Sequence, residues 1–266
     1  MPPRPKTARA IHANAGTTAR YRARLLSVIE EMQRSVLYWL KAAYRAAPPR
    51  IAALAQDASP ADDMHSAYRD VRDQWQTRFD DMASNVAESW LRNAFRGSDV
   101  AMAMALKDAG WTVKFTMTPA MRDAFDASLA ENVGLIKSIP SRYFDAIEGV
   151  VTRGYTAGRD LETMVKELKA LYPAAQNRAV LIARDQANKA NAVVARTRQL
   201  ELGITEAIWM HSHGGKTPRP THVAMNGKPF KIAEGMWDSA VQKMILPGEE
   251  INCRCSSRPI LPHMTA

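Results

Sequence analysis

At 266 residues with a formal net charge of +9, the chain can bury one large core or two smaller ones, and its apolar content of 46% is that of a globular protein. No apolar run reaches the ~20 residues that a bilayer span needs, and the Pro/Arg/Lys-rich start lacks the apolar centre of a signal peptide, so a cytosolic chain without a membrane role is expected. The two cysteines, Cys253 and Cys255, stand one residue apart, which excludes a disulfide framework, because a bridge at that spacing is strained and cytosolic thiols stay reduced.

The charge is unevenly spread. Residues 1–50 hold ten Lys/Arg against Glu30 and Glu31, residues 51–130 hold twelve acidic side chains against eight basic, and the remainder is net +5. A basic leader before an acidic block suggests an arm that docks on something anionic, nucleic acid or an acidic protein surface, through Arg4, Lys6, Arg9, Arg20, Arg22 and Arg24. A solvated basic tail is the plain alternative, since no aromatics are interleaved at a base-stacking spacing.

In chain order, residues 1–17 show no helical periodicity and are expected as a basic flexible arm. Leu25, Leu26, Ile29, Met32, Val36, Leu37, Leu40 and Tyr44 then recur at three- and four-residue steps, predicting a helix that Pro48-Pro49 ends. A second helix is predicted from about Asp62 to about Phe95, behind Ser59-Pro60 and an acidic first turn, with Met64, Tyr68, Val71, Trp75, Phe79, Met82, Val86, Trp90 and Leu91 as its stripe. Residues 101–109 read as a short helix closed by Gly110. Residues 111–118 alternate apolar and polar side chains like a half-buried strand, and Pro119 opens a further helix. Residues 131–200 read as three or four helices: one through Val133 and Ile136, one over 140–155, one over 160–171 and a long one over 174–201. Gly158, Asp160, Pro173 and Gly203 punctuate them.

Beyond Gly203 the texture changes. Residues 204–210 are β-branched and aromatic, a loop dense in Gly, Pro and Lys follows, and short apolar pieces return at 229–232 and 251–261. The expected fold class is α+β, mainly α-helical with a small C-terminal strand-and-loop module. Its divisions are the arm at 1–17, a helical region at 18–130, a helical block at 131–203 and the small module at 204–266. That last piece holds too little apolar content for a core of its own, and such segments usually need a staple, a metal being one kind.

Thiolates and neutral imidazoles suit zinc. Cys253 and Cys255 on an extended segment share a face, His211 ends the predicted strand, and His222 follows a turn-rich loop able to fold back. These four are the expected ligands of a closed structural zinc site, with His213 competing for the fourth position. The residue types also fit buried thiols and polar loop histidines. A thiol nucleophile with a histidine base lacks a visible orienting third group. An HNH-type nuclease lacks its acidic ligands. Gly214-Gly-Lys-Thr217 lacks the earlier glycine of a phosphate-binding loop. In the loop, Pro218 and Pro220 stiffen the chain around Arg219, and Asn226-Gly227 is a hairpin-turn dipeptide, so a rigid basic finger between two strands is expected.

Four pieces occur in order: Asn132-Val with Leu135-Ile-Lys-Ser-Ile-Pro140, the helix around Ala183-Arg-Asp185, Pro218-Arg-Pro-Thr-His222 with Asn226-Gly-Lys228, and Pro247-Gly-Glu to Asn252-Cys-Arg-Cys255. Together they resemble the head morphogenesis proteins of tailed bacteriophages, the Mu F-like minor head protein family, from about Glu131 to the end. Pro218, Arg219, His222, Asn226, Gly227, Cys253 and Cys255 match family positions, Pro218, Arg219, Asn226 and Gly227 forming an interaction loop. The resemblance implies a non-enzymatic virion component made in the host cytoplasm. Such proteins join the portal or major capsid protein in head assembly, DNA packaging or genome delivery, with packaged DNA as a further partner and no small-molecule substrate. The leading alternative is a DNA-binding accessory protein that conditions packaging or ejection.

Overall fold

The computed structural model describes residues 5–46, 48, 60–156, 160–214 and 217–265. Arg4, Pro49, Ser59, Gly158, Gly215 and Lys216, to which the sequence assigns roles, lie outside the described residues. The elements in order are β1 (Pro5–Thr7), α1 (Ala15–Ala46), α2 (Pro60–Asp108), α3 (Pro119–Thr156), α4 (Leu161–Glu201), β2 (Glu206–Met210), α5 (Pro220–Met225), β3 (Pro229–Lys231), β4 (Met236–Asp238), β5 (Lys243–Ile245) and β6 (Ser256–Thr265). The class is α+β and mainly helical. Two compact units form, one from 1–19, 88–130 and 183–266, here the sheet unit, and one from 20–87 and 131–182, the helical unit.

In the helical unit the stripes read from the sequence are the buried faces: Leu25, Ile29, Met32, Val36 and Leu40 on α1, Met64, Tyr68, Trp75 and Phe79 on α2. The Tyr21 hydroxyl donates to Asn132 Oδ1 at 2.7 Å, and the Tyr68 hydroxyl donates to the Phe144 carbonyl at 3.0 Å. Burial pushes the Tyr21 phenol well above its usual range, the Asn132 bond opposing it only in part. Asp160 caps α4 through the Thr163 N–H at 2.9 Å.

Two breaks predicted at prolines are absent. Pro140 lies inside α3 and Pro173 inside α4. A proline removes one helical hydrogen bond, but Ile136, Ile139, Tyr143 and Phe144 are all buried around Pro140, and their packing outweighs the local cost. Likewise α2 runs through Gly97, joining the two helices expected on either side. A glycine in a helix costs only about 1 kcal/mol relative to alanine, too little to end it where Phe95, Met102 and Leu106 are buried.

The helix ends at Gly110 and Gly203 follow the sequence reading. Gly110 has φ 94°, its N–H reaches the Lys107 carbonyl at 2.9 Å and the Trp111 N–H reaches Leu106 at 2.8 Å. Gly203, at φ 71°, closes α4 with the same pair of bonds to Leu200 and Gln199. Both are Schellman ends, where glycine is favoured because an L side chain is strained at positive φ.

The sheet unit carries a four-stranded antiparallel sheet in the order β1-β6-β2-β3 and a β4-β5 hairpin. Ala207 and Trp209 on β2 face a core that also takes Met102, Leu106, Ala195, Phe230, Ile232, Ile245 and Leu261. The strand pieces thus share a core with α2 and α4. Residues 5–14, read as part of a flexible arm, are instead folded into this unit. β1 pairs with β6, Ala8 and Ile11 are buried, and the Ile11 carbonyl accepts from Asn191 Nδ2 at 3.1 Å. Three strand residues and two apolar side chains make too short a pattern to stand out in a basic segment. Residues 111–118 form no ladder. Trp111, Val113 and Phe115 do pack on the core, so the alternation reported one-sided burial and not strand pairing.

The basic residues of the expected arm are divided between the units. Lys6 and Arg9 belong to the sheet unit, with Arg9 Nε 3.4 Å from Asp108 Oδ2, while Arg20, Arg22 and Arg24 lie exposed on α1 in the helical unit.

Candidate metal centre

His222 sits in the short helix α5, opened by Pro220 at its first turn with Arg219 in the extended cap position. The chain then turns at Asn226-Gly227, where Gly227 has φ 79° and the Lys228 N–H bonds the Met225 carbonyl at 3.0 Å. Asn226, at φ −54° and ψ 131°, completes a type II turn. It joins α5 to β3, not two strands, so the dipeptide marks a turn without making a hairpin. Nor is the loop a projecting finger: Arg219 folds back and donates through Nη2 to the Ile251 carbonyl at 2.8 Å.

The cysteines arrive from the other side. Gly248, at φ 84°, lies so close to α4 that an added Cβ would stand 2.6 Å from Ala192 Cβ. The following residues are gripped by the Ala183-Arg-Asp185 helix: the Asn252 N–H donates to Asp185 Oδ1 at 2.6 Å, and Arg184 Nη2 donates to Asn252 Oδ1 at 2.7 Å. Asn252 itself has φ 62°, a left-handed conformation that asparagine tolerates better than most residues. Two motifs far apart in sequence therefore meet to place the thiols. We expect Gly248→Ala to destabilise the protein by about 2–4 kcal/mol, read by denaturant unfolding, because positive φ and a steric clash act together. A loss under about 0.5 kcal/mol would show that the loop moves freely off α4.

His222 Nδ1 lies 3.5 Å from Cys253 Sγ and 3.7 Å from Cys255 Sγ, and one ligand atom from each of the three residues falls within 4.8 Å of the others. Sulfur at ~2.3 Å and nitrogen at ~2.1 Å from a tetrahedral zinc ion are separated by about 3.6 Å, so the spacing fits the edges of such a site. On the far side of the ring, His222 Nε2 is 3.2 Å from Asp238 Oδ2, in ion-pair range though not aligned as a hydrogen bond. Asp238, His222 and both cysteines are buried, and Trp209 stands edge-on to the imidazole at 5.6 Å between centroids.

The electrostatics order the donors. The Cys255 thiol, with His222, holds Cys253 well below the ordinary thiol range against the opposing effect of burial. The same contact, with burial, pushes Cys255 up, so Cys253 ionises first. Its bond to Cys253 raises the His222 pKa against the effect of burial, with Asp238 adding to the rise. Burial raises Asp238, but the Ala240 N–H first, then Thr221 and His222, outweigh it and lower the carboxyl below its ordinary value. A thiolate, a second thiol and an imidazole with a carboxylate behind it are donors that could hold a metal ion, and their chemistry is compatible with zinc.

His211 and His213 are not part of this cluster. β2 ends at Met210, so both lie in the loop beyond it, their rings 4.6 Å apart. His211 Nδ1 accepts the His213 N–H at 3.1 Å, and the His211 N–H donates to Asn226 Oδ1 at 2.9 Å. His211 instead lines a cleft of about 610 Å³ that opens on His222, Cys253 and Cys255, together with Arg184, Ser212, Thr217, Pro218, Arg219 and Arg254. Sequence reasoning missed Asp238, Arg184 and Arg254. Nothing near Asp238 marks it, whereas Arg184 and Arg254 lie inside quoted motifs whose contacts only the fold reveals.

Residues 145–258 match the family described as Phage Mu protein F like protein. This region is Mu F-like. The Mu F-like region contains His222, Asp238, Cys253, Cys255 and every residue lining the cleft. It begins later than the resemblance read from the sequence, leaving the 132–140 piece outside it. A protein of Haemophilus influenzae, described only as uncharacterized, is 32% identical over 144 residues, which cover 54% of this chain and 31% of that relative. The chain thus spans about a third of the relative it matches. No solved structure matches, and no helix among the described residues is long and apolar enough to cross a membrane.

Proposed function

We propose that the protein is a structural minor head component of a tailed bacteriophage, resident in the virion and engaged with the portal or major capsid protein. The observation that supports this most is the Mu F-like match over residues 145–258. In this reading the C-terminal module is an attachment clip pinned by zinc. His222, Cys253 and Cys255 would hold the ion, Asp238 would orient the imidazole, and the ion would supply a crosslink between segments distant in sequence. His211 or solvent would complete the coordination. Mass spectrometry of purified particles tests the assignment: the full chain should appear at a few copies per portal and crosslink to a head subunit, whereas its absence from particles would contradict it.

The Cys253-His222-Asp238 chain favours one second reading, a thiol nucleophile with an oriented base. The two differ in how the cysteines behave. A zinc clip needs both, so Cys253→Ala and Cys255→Ala should each reduce bound zinc to under about a tenth of the wild-type content. A nucleophile needs one: alkylation by iodoacetamide would then be fast at Cys253, persist in Cys255→Ala and collapse in His222→Ala.

The DNA-binding alternative is tested without deleting the leading segment, because residues 5–14 belong to the sheet unit. Replacing Arg20, Arg22 and Arg24 by glutamine should abolish salt-sensitive duplex binding if that reading holds, and leave particle incorporation unchanged if it does not.

A further inference from the structure

We infer that the arginine-lined cleft beside the metal centre is a binding site for a phosphate group. Arg184, Arg219 and Arg254 all line this one cavity of about 610 Å³, and no acidic residue lines it among the described residues. Among the described residues their hydrogen bonds go to neutral acceptors: Arg184 to Asn252 Oδ1 at 2.7 Å, Arg219 to the Ile251 carbonyl at 2.8 Å, Arg254 to the Gly214 carbonyl at 2.7 Å. None of the three forms an ion pair with a described carboxylate. All are half-buried, and Arg184 Nε is buried without a hydrogen-bond partner.

The Cys253 thiolate, held by His222, is the one anionic group on this lining among the described residues, so the three guanidinium charges gathered around a partly desolvated cavity exceed it. That excess is unfavourable, and a further anion removes the penalty. Elsewhere in the sheet unit the protein does otherwise: Arg198 is paired with Asp99 and Glu201. The class of anion follows from donor number. Each guanidinium keeps several N–H groups beyond the one it has used, more together than the two oxygens of a carboxylate can accept. A phosphate group offers three terminal oxygens and a charge of about −1.5 to −2 near neutral pH, and the Ser212 and Thr217 hydroxyls at the rim add donors of the same use. The phosphate can come from a free ion, from a nucleotide or from the terminal phosphate of a nucleic acid strand, since an internal phosphodiester keeps only two terminal oxygens. The inference does not rest on zinc.

The test uses the full-length protein with its metal content measured in every sample. Inorganic phosphate, adenosine monophosphate and a short single-stranded oligodeoxynucleotide bearing a 5′-phosphate are titrated by calorimetry, against chloride at matched ionic strength. Phosphate should bind and raise the Tm of the wild type, an arm that requires no variant to fold. Arg219→Gln with Arg254→Gln should weaken Kd at least about tenfold with metal content equal to that of the wild type, since charge-assisted bonds to two forks are removed. If only the free phosphates bind, the source is small. If the oligonucleotide binds with the same arginine dependence, the source is polymeric. The inference is overturned if phosphate has no effect beyond chloride, if the folded double variant binds as the wild type does, or if a polyglutamate peptide alone binds in an arginine-dependent manner.

Discussion

With the module pinned by zinc as proposed, His222→Ala is expected to abolish zinc binding and to destabilise the sheet unit by at least about 3–5 kcal/mol, with residues 204–261 losing amide protection first. The substitution removes the donor that sits 3.5 Å from Cys253 and 3.7 Å from Cys255 and leaves the buried Asp238 carboxylate without its imidazole. Structural zinc sites in small folds supply their binding energy directly to folding, and here the module shares a core with α2 and α4, so its loss is severe but local. Asp238→Asn separates ion from fold. It keeps the side-chain shape and should weaken metal affinity about 10–100-fold while leaving the zinc-loaded protein folded. A His222→Ala protein that stays folded at wild-type Tm would mean the imidazole carries no crosslink.

The second large effect lies away from the centre. Asp99→Ala is expected to cost about 3–5 kcal/mol, because it leaves a buried guanidinium short of its main partner. Arg198 is 1% exposed, and it meets Asp99 through two parallel bonds, Nε to Oδ1 and Nη2 to Oδ2, both 2.8 Å. Nη1 holds Glu201 Oε2 at 2.8 Å, and the guanidinium lies 4.7 Å from the Phe115 ring centroid. The pair ties α2 to the last turn of α4, directly before Gly203 turns the chain into the sheet. Replacing both Arg198 and Asp99 by apolar residues of similar volume should recover most of the loss, since desolvation of the pair offsets much of its attraction. Urea titrations of the two single variants and the double variant measure this, and a single-variant loss under about 1 kcal/mol would show that the contact is solvated in solution.

These expectations rest on parts of the fold that differ in how plainly the residues announce them. Gly110 and Gly203 end helices because positive φ is a local requirement, and a local requirement is visible in sequence. The buried stripes of α1 and α2 follow from periodicity in the same way. Pro140 and Pro173 mislead because their cost is also local, while the packing that overrides it comes from other helices. β1 is invisible because three residues carry no period, and its pairing with β6 joins the two ends of the chain.

The candidate site divides along the same line. Cys253, Cys255 and His222 stand out by chemical type, the rarity of cysteine making the pair conspicuous, and the fold brings their ligand atoms within 4.8 Å. His211 stands out by type too, yet β2 ends one residue earlier and the loop turns its ring to the cleft. Asp238 carries no sequence signal, since it reaches His222 only through the β4-β5 hairpin. That hairpin closes tightly because Gly235, at φ 83°, has no Cβ: one there would stand 2.3 Å from the Ile245 carbonyl oxygen.

Elemental analysis of the purified full-length protein, expressed in metal-replete medium and passed over a desalting column, bears most directly on the central claim. About one zinc per chain, released together with the sheet unit's cooperative unfolding, is the result expected of a clip pinned by His222, Cys253 and Cys255. Less than about 0.2 zinc per chain in protein that is folded and fully stable would contradict it.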